Sequence, residues 1–144
     1  MKSFIAQKEE DLKKPAEYLF SKISKEKNLI LLSGDLGAGK TTLTKYMAKL
    51  FNIESEITSP TFNIVKEYKT KNKVFKNFYH FDVYRIKEIE ELDNIGFNEY
   101  LYKEDSLCII EWADKIKDIL PMEKSFDVSI KLNDDASRKV EIRE

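Results

Sequence analysis

The sequence predicts an α/β fold: one domain over residues 1–144, with a central mixed, partly antiparallel sheet flanked by helices. Three observations predict it. Two continuous apolar runs, Leu29-Ile30-Leu31-Leu32 and Leu107-Cys108-Ile109-Ile110, read as strands covered on both faces. Segments with helical spacing of apolar residues lie between the strand-like runs. The C-terminal stretch alternates apolar and polar residues, as an antiparallel hairpin with one face on the core does. At 144 residues and 16.9 kDa the chain has the size of one domain and buries a sizeable core without staples.

Taken in order, residues 3–6 read as a short first strand. Leu12, Ala16, Leu19 and Ile23 then fall at helical spacing over residues 9–24. Pro15 costs stability inside such a helix, unless the helix starts at 12–14 and places it in the first turn. Asn28–Ser33 is the first buried strand, and Thr41–Phe51 a helix with Leu43, Met47 and Leu50 on one side. The middle is β-rich: Phe62–Tyr68 and Val74–Phe81 read as a hairpin across the polar run Lys69–Lys73. Residues 86–93 and 96–103 read as short helices. Leu107–Ile110 is the second buried strand, 112–119 a short helical piece, and Pro121 its end. Phe126, Val128, Ile130 and Leu132, then Val140 and Ile142, share one face of a terminal hairpin.

Composition narrows the function. With 25 basic and 26 acidic residues the formal charge is −1, which excludes bulk electrostatic binding of nucleic acid. One cysteine, Cys108, has no disulfide partner within the chain, and one histidine, His80, excludes a two-histidine site. Cys108 in an apolar strand reads as a buried small hydrophobe and His80 as a structural histidine. No run of apolar residues is long enough to span a membrane, and the N-terminal residues lack the pattern of a signal peptide. A cytoplasmic location follows as an expectation.

The decisive segment is Gly34-Asp35-Leu36-Gly37-Ala38-Gly39-Lys40-Thr41, which matches G-x-x-x-x-G-K-[ST] without a gap. Chance supplies such a match in roughly 1 chain of 200 at this length. Here it follows an apolar strand and opens a helix, and it holds three of the four glycines of the chain. A surface turn needs no such concentration. The spacing therefore predicts a P-loop nucleotide-binding domain. Glycines let several backbone N–H groups face one anion, and the helix points its positive end at the same place. Lys40 reaches the β and γ phosphates, Thr41 ligates magnesium, and Thr42 in the first helical turn reaches the α phosphate.

Such a loop works with an acidic residue at the end of a neighbouring strand. Glu111 after Leu107–Ile110 is the first candidate for the metal shell. Asp82, after Phe78-Tyr79-His80-Phe81, is the second, as an outer ligand or as the group orienting the attacking water. Ser59-Pro60-Thr61 is placed like a nucleotide-sensing switch and equally like an ordinary turn. The Asn-Lys-x-Asp pattern that reads guanine is not present, since Asn72-Lys73 runs into Val74-Phe75. Arginines to neutralise a transferring phosphoryl group are scarce: only Arg85, Arg138 and Arg143, none inside the loop region. That favours ATP hydrolysis coupled to a partner. A small-molecule kinase and a non-catalytic, ATP-dependent partner-binding module are the alternatives.

These blocks resemble the bacterial TsaE (YjeE) family over essentially the whole chain. The matching residues are Gly34 to Thr42, Ser59-Pro60-Thr61-Phe62, Tyr79-His80-Phe81-Asp82-Val83-Tyr84-Arg85 and Ile110-Glu111-Trp112. Glu91-Leu92 followed by Ile95-Gly96 fits as well. The His-Phe-Asp-x-Tyr-Arg block with the later Glu-Trp is the specific part. The resemblance implies a weak magnesium-dependent ATPase acting with the TsaB and TsaD proteins, which together add a threonylcarbamoyl group to adenosine 37 of tRNAs reading codons that start with A. It implies that Lys40 and Thr41 bind phosphate and magnesium and that Glu111 is the metal-shell carboxylate. Asp82 would be catalytic or metal-associated, and Trp112 would lie near the nucleotide. Ser59 to Thr61 would be the switch, and Tyr84 and Arg85 interface candidates. tRNA would be met through the complex. The roles of Arg138 and Arg143 stay open.

Overall fold

The computed structural model describes residues 1–58, 60 and 63–144. Its centre is a seven-stranded mixed sheet in the order β1-β7-β6-β2-β5-β4-β3. The strands are β1 (Lys2–Ala6), β2 (Leu29–Gly34), β3 (Val65–Lys69), β4 (Asn77–Asp82), β5 (Ser106–Glu111), β6 (Ser125–Leu132) and β7 (Arg138–Arg143). The four inner strands β6, β2, β5 and β4 run parallel, and the outer pairings β1–β7, β6–β7 and β3–β4 are antiparallel. This is the mixed sheet the sequence predicts.

The apolar run of β2 explains its central place. Leu29, Leu31, Ile30 and Leu32 are all fully buried, because alternate residues face opposite sides of the sheet and both sides are covered. Ile30 and Leu32 join Leu107 and Ile109 of β5 under α1 (Lys13–Lys22) and α2 (Lys40–Leu50). Leu29 and Leu31 join Cys108 and Ile110 under α3 (Glu90–Asn94) and α4 (Phe97–Leu101). Burying each such side chain contributes about 1.5–3 kcal/mol over leaving it exposed.

The first helix is shorter than its periodicity. Glu9–Leu12 forms a 3₁₀ turn, and α1 starts at Lys13, which puts Pro15 in the first turn where its missing N–H costs nothing. The second hairpin strand starts at Asn77, not Val74, because the Asn72 side chain takes over the preceding backbone. Asn72 Oδ1 accepts from the N–H groups of Val74 and Phe75 at 2.8 and 3.0 Å, an Asx turn. The piece after β5 is two 3₁₀ turns, Ala113–Lys115 and Lys117–Ile119. Leu132 follows the hairpin alternation but lies at the strand end and is exposed.

The chain visits β5 on one side of β2 and β6 on the other. The crevice beyond the C-terminal ends of these strands is where open α/β sheets take their ligands. Gly34, Glu111 and Asp82 all end their strands at this edge, with Asp82 and Glu111 directly paired in register.

Candidate functional site

The loop between β2 and α2 fits its glycines tightly. Gly34 has φ +151°, and a Cβ there would lie 2.4 Å from the Ile130 carbonyl oxygen of β6. Gly39, at φ +118°, caps α2 in a conformation that L side chains rarely adopt, against Leu12 and Arg138. The α2 N-terminus follows at Lys40, so its unpaired N–H groups and positive dipole end face the cavity that Gly37, Lys40, Thr41 and Thr42 line.

Lys40 is 5% exposed. Its Nζ donates to the carbonyls of Gly34 at 2.6 Å and Asp35 at 2.9 Å, and it sits 4.0 Å from the centre of the Trp112 ring. Burial lowers the ammonium's pKa, while the carboxylates of Glu111, Asp82, Asp114 and Asp35 act in the opposite direction. Trp112 holds its ring there from a left-handed backbone, φ +63°, uncommon for a bulky residue. Two carbonyls and a ring face thus hold one cation at the floor of the loop.

Glu111, 3% exposed, ends β5. The Thr41 hydroxyl donates to its two oxygens, each at 3.1 Å, and His80 Nε2 lies 2.5 Å from its Oε2. His80 is fully buried and its Nδ1 has no partner. A ring with the proton on Nε2 and none on Nδ1 meets both facts, because a second buried N–H would be an unpaired donor. His80 is therefore structural in a specific sense: it orients the carboxylate that faces Thr41. Asp82, on the same face of β4 two residues on, accepts from the Tyr84 N–H at 3.0 Å and lines the cavity with Glu111.

The oxygen set fits a hard divalent cation. Thr41 Oγ1 and the Glu111 carboxylate meet beside Asp82, and among the described residues no group of three or more His, Cys, Asp or Glu forms a cage. Magnesium takes few protein ligands and keeps water and phosphate oxygens, so this sparse set suits it. The cavity of about 330 Å³ that Gly37, Gly39 and Lys40 help to line suits phosphate.

The other candidates divide. Thr42 is in the first turn of α2 with its hydroxyl on Glu9 at 2.7 Å. Asp35 gives its carbonyl to Lys40, and Leu36 is exposed at the loop tip. Tyr84 packs against Trp112, ring centres 4.7 Å apart and planes tilted by 44°, and exposed Arg85 lines an adjoining cavity of about 450 Å³ that shares Leu36, Asp82 and Trp112 with the first. Ser59 and Thr61 lie outside the described residues. Sequence reasoning missed Arg138. The loop region does have an arginine beside it, brought from β7 by sheet pairing to lie against Gly39. No local motif signals it.

Among the described residues no helix is long and apolar enough to cross a membrane. The model of the family described as threonylcarbamoyl adenosine biosynthesis protein TsaE matches residues 6–140. The tRNA threonylcarbamoyladenosine biosynthesis protein TsaE of Haemophilus influenzae is 42% identical over 130 residues, 90% of this chain and 78% of that one. The protein of the same name from Bacillus subtilis is 38% identical over 122 residues, 85% and 73% of the two chains. The crystal structure of Bacillus subtilis YdiB superposes with a TM-score of 0.74 at 30% identity, covering 98% of this chain and 83% of that one. With the phosphate loop, the Glu-Trp strand end and the α/β sheet in one frame, the chain belongs to the TsaE family of tRNA threonylcarbamoyladenosine biosynthesis.

Proposed function

We propose that the protein is a magnesium-dependent ATP-binding and ATP-hydrolysing subunit of the complex that adds the threonylcarbamoyl group to adenosine 37 of tRNA. Its partners in that reading are TsaB and TsaD, and its nucleotide-driven step resets or supports the complex. The observation that carries it is the meeting of Lys40, Thr41 and Glu111 at the C-terminal edge of β2 and β5 in a chain of this family.

The chain's own residues divide the work as follows. Lys40 leaves the carbonyls of Gly34 and Asp35 for the β and γ phosphates, which return to its ammonium the favourable charge that burial opposes. The backbone N–H groups of the loop and of the first turn of α2 hold the remaining oxygens. Thr41 Oγ1 and Glu111 would hold magnesium, with His80 fixing the Glu111 carboxylate. Magnesium bound there would supply neutralisation of charge on the phosphate oxygens. Asp82 orients the water that attacks the γ phosphorus and accepts its proton as the bond to the β-phosphate oxygen breaks. Trp112 shields Lys40 from solvent. Burial of Lys40 and Glu111 supports this reading, because phosphate and metal contacts gain strength where water is excluded.

Purified protein with TsaB and TsaD, read as phosphate release from ATP and as modified tRNA, tests it. Slow release alone and a large rise with both partners is the expected result. Phosphorylation of a free small molecule would replace the reading with a kinase. Tight ATP binding without hydrolysis, partners present, would replace it with a nucleotide-dependent binding module.

A further inference from the structure

The end of the molecule away from the phosphate loop holds a separate, largely apolar groove of about 440 Å³. Three segments meet there, each at the far end of an element that reaches the nucleotide cavity. Residues 24–27 precede β2, residues 70–76 precede β4, and Phe51 ends α2. Phe20, Phe51 and Phe75 form the floor, with Phe51 edge to face against the other two at 5.0 and 5.8 Å between ring centres. Phe51 and Phe75 belong to the core, while Val74 beside them is 44% exposed.

Both lips of the groove are held by their own hydrogen bonds. Ser24 and Lys27 exchange backbone N–H bonds, each 3.1 Å, and Ser24 Oγ accepts the Lys27 N–H as well. On the other lip the Thr70 hydroxyl donates to the Phe75 carbonyl and the Thr70 N–H to the Lys76 carbonyl, while Asn72 holds the N–H groups of Val74 and Phe75. Lips already fixed lose little freedom when something binds between them. Residues 24–27 and 70–76 together carry five lysines and one glutamate. Lys71 pairs with Glu54 at 2.7 Å, and Lys27 lies over the Phe126 ring. Lys25, Lys73 and Lys76 are exposed and join no ion pair among the described residues. Positive charge thus rims an apolar floor, opposed on the lips by Glu26 alone.

We infer that this groove is a docking site for an acidic segment of a protein partner, with one large apolar side chain set against Val74 and the ring floor and its carboxylates on Lys25, Lys73 and Lys76. The charge of the rim selects the sign of the partner, and the floor selects an apolar anchor. RNA fits the groove less well. A base needs an open ring face to stack on, whereas these rings meet edge to face, at interplanar angles of 78° and 73°, with Phe51 and Phe75 buried. The groove lies at the opposite end of α2 from Lys40, roughly 16 Å along an 11-residue helix. A segment bound there neither uses nor blocks the nucleotide cavity.

The test titrates the full, isotope-labelled chain with the end-blocked peptide Asp-Glu-Phe-Leu-Glu-Asp and follows amide NMR shifts, which give both site and affinity. The controls are the same peptide with lysines for its acids, the same peptide with serines for Phe and Leu, and oligouridylate. Saturable binding of the acidic peptide, with shifts gathered at residues 24–27 and 70–76, is the expected result. Val74→Asp puts a carboxylate on the lip and is expected to weaken binding by about tenfold, and Lys73→Glu combined with Lys76→Glu by about as much. All three positions are exposed, and thermal melts check that the variants fold. No binding of the acidic peptide overturns the inference. So does equal binding of the lysine or the serine peptide, since rim or floor would then select nothing. Unaltered peptide affinity in both variants places the contact elsewhere, with the same consequence. Oligouridylate shifting these amides more strongly than the peptide would make the groove an RNA site and overturn it too. A sedimentation coefficient that rises with concentration in the wild type, and not in Val74→Asp, would assign the groove to a second copy of this chain and overturn it as well.

Discussion

Lys40 is held by groups that do not need it. Its partners are two backbone carbonyls and a ring face, and its charge is partly opposed by burial. Lys40→Ala is therefore expected to remove most nucleotide binding or turnover while the melting temperature of the free protein changes little. Unchanged ATP affinity and hydrolysis would remove the loop from the mechanism. Glu111 is the converse case, a buried carboxylate held by two neutral donors, Thr41 and His80. Glu111→Gln keeps the shape and loses the charge, so hydrolysis is expected to fall by about a hundredfold while ATP binding falls far less. Wild-type hydrolysis in that variant would transfer the metal role to Asp82. His80→Phe fills the ring's place without Nε2. It is expected to raise the magnesium concentration for half-maximal turnover by about tenfold and to leave ATP binding in the presence of a chelator unchanged. An unaltered magnesium dependence would reduce His80 to packing.

At the scale of elements, the loop depends on how closely β6 lies under β2. A Cβ on Gly34 would meet the Ile130 carbonyl oxygen at 2.4 Å, and the positive φ adds strain. Gly34→Ala is expected to cost about 3 kcal/mol in chemical denaturation, from strain and overpacking together. A cost below about 0.5 kcal/mol, the ordinary surface range, would mean that the two strands separate easily there. Cys108 reports on β5. Burial pushes its thiol up to about 12. Above pH ~8.5 the unfolded chain loses this proton and the folded chain keeps it, so stability falls with pH by about 1.4 kcal/mol per unit from this group. Cys108→Ala is expected to flatten that slope between pH 8.5 and 10 relative to the wild type, and an unchanged slope would contradict the burial. The loop, its strand and its helix were legible because their residues are contiguous and their spacing is the chemistry. The Glu111 and Asp82 positions were legible as apolar runs ending in an acid. The His80–Glu111 contact was not, because it is diagonal across β4 and β5 and depends on a register that no local pattern encodes. Arg138 was hidden for the same reason, and the early start of β4 was misread because Asn72 competes for backbone that Val74 and Phe75 would otherwise extend.

For the whole molecule, the proposed function raises the question of what the isolated site lacks for fast turnover. Hydrolysis needs positive charge opposite the γ phosphate, and an arginine supplied there changes rates by ~10³–10⁵. Lys40 is held at the floor of the loop, and Arg138 lies against Gly39 in the wall of the same cavity. Arg85 is exposed, on the wall of the second cavity, with Leu36, Asp82 and Trp112 between it and the nucleotide side. Beside it Tyr84, 47% exposed, packs against Trp112, which covers Lys40. A protein surface pressing on Tyr84 and Arg85 thus reaches Lys40 and Asp82 through a single layer of side chains. Tyrosine and arginine are the residue types that anchor interfaces. On the proposed function, basal ATP turnover is slow and rises strongly when TsaB and TsaD are added together. Arg85→Ala is expected to lower the stimulated rate by about tenfold or more and the basal rate by less than about twofold, because its charge is set in place only by the complex. A basal rate on the order of 10 s⁻¹ without partners would leave nothing for a complex to complete. A full response in Arg85→Ala would leave the coupling in place and assign it to Tyr84 and Trp112, whose packed rings would then carry the partner's contact to Lys40.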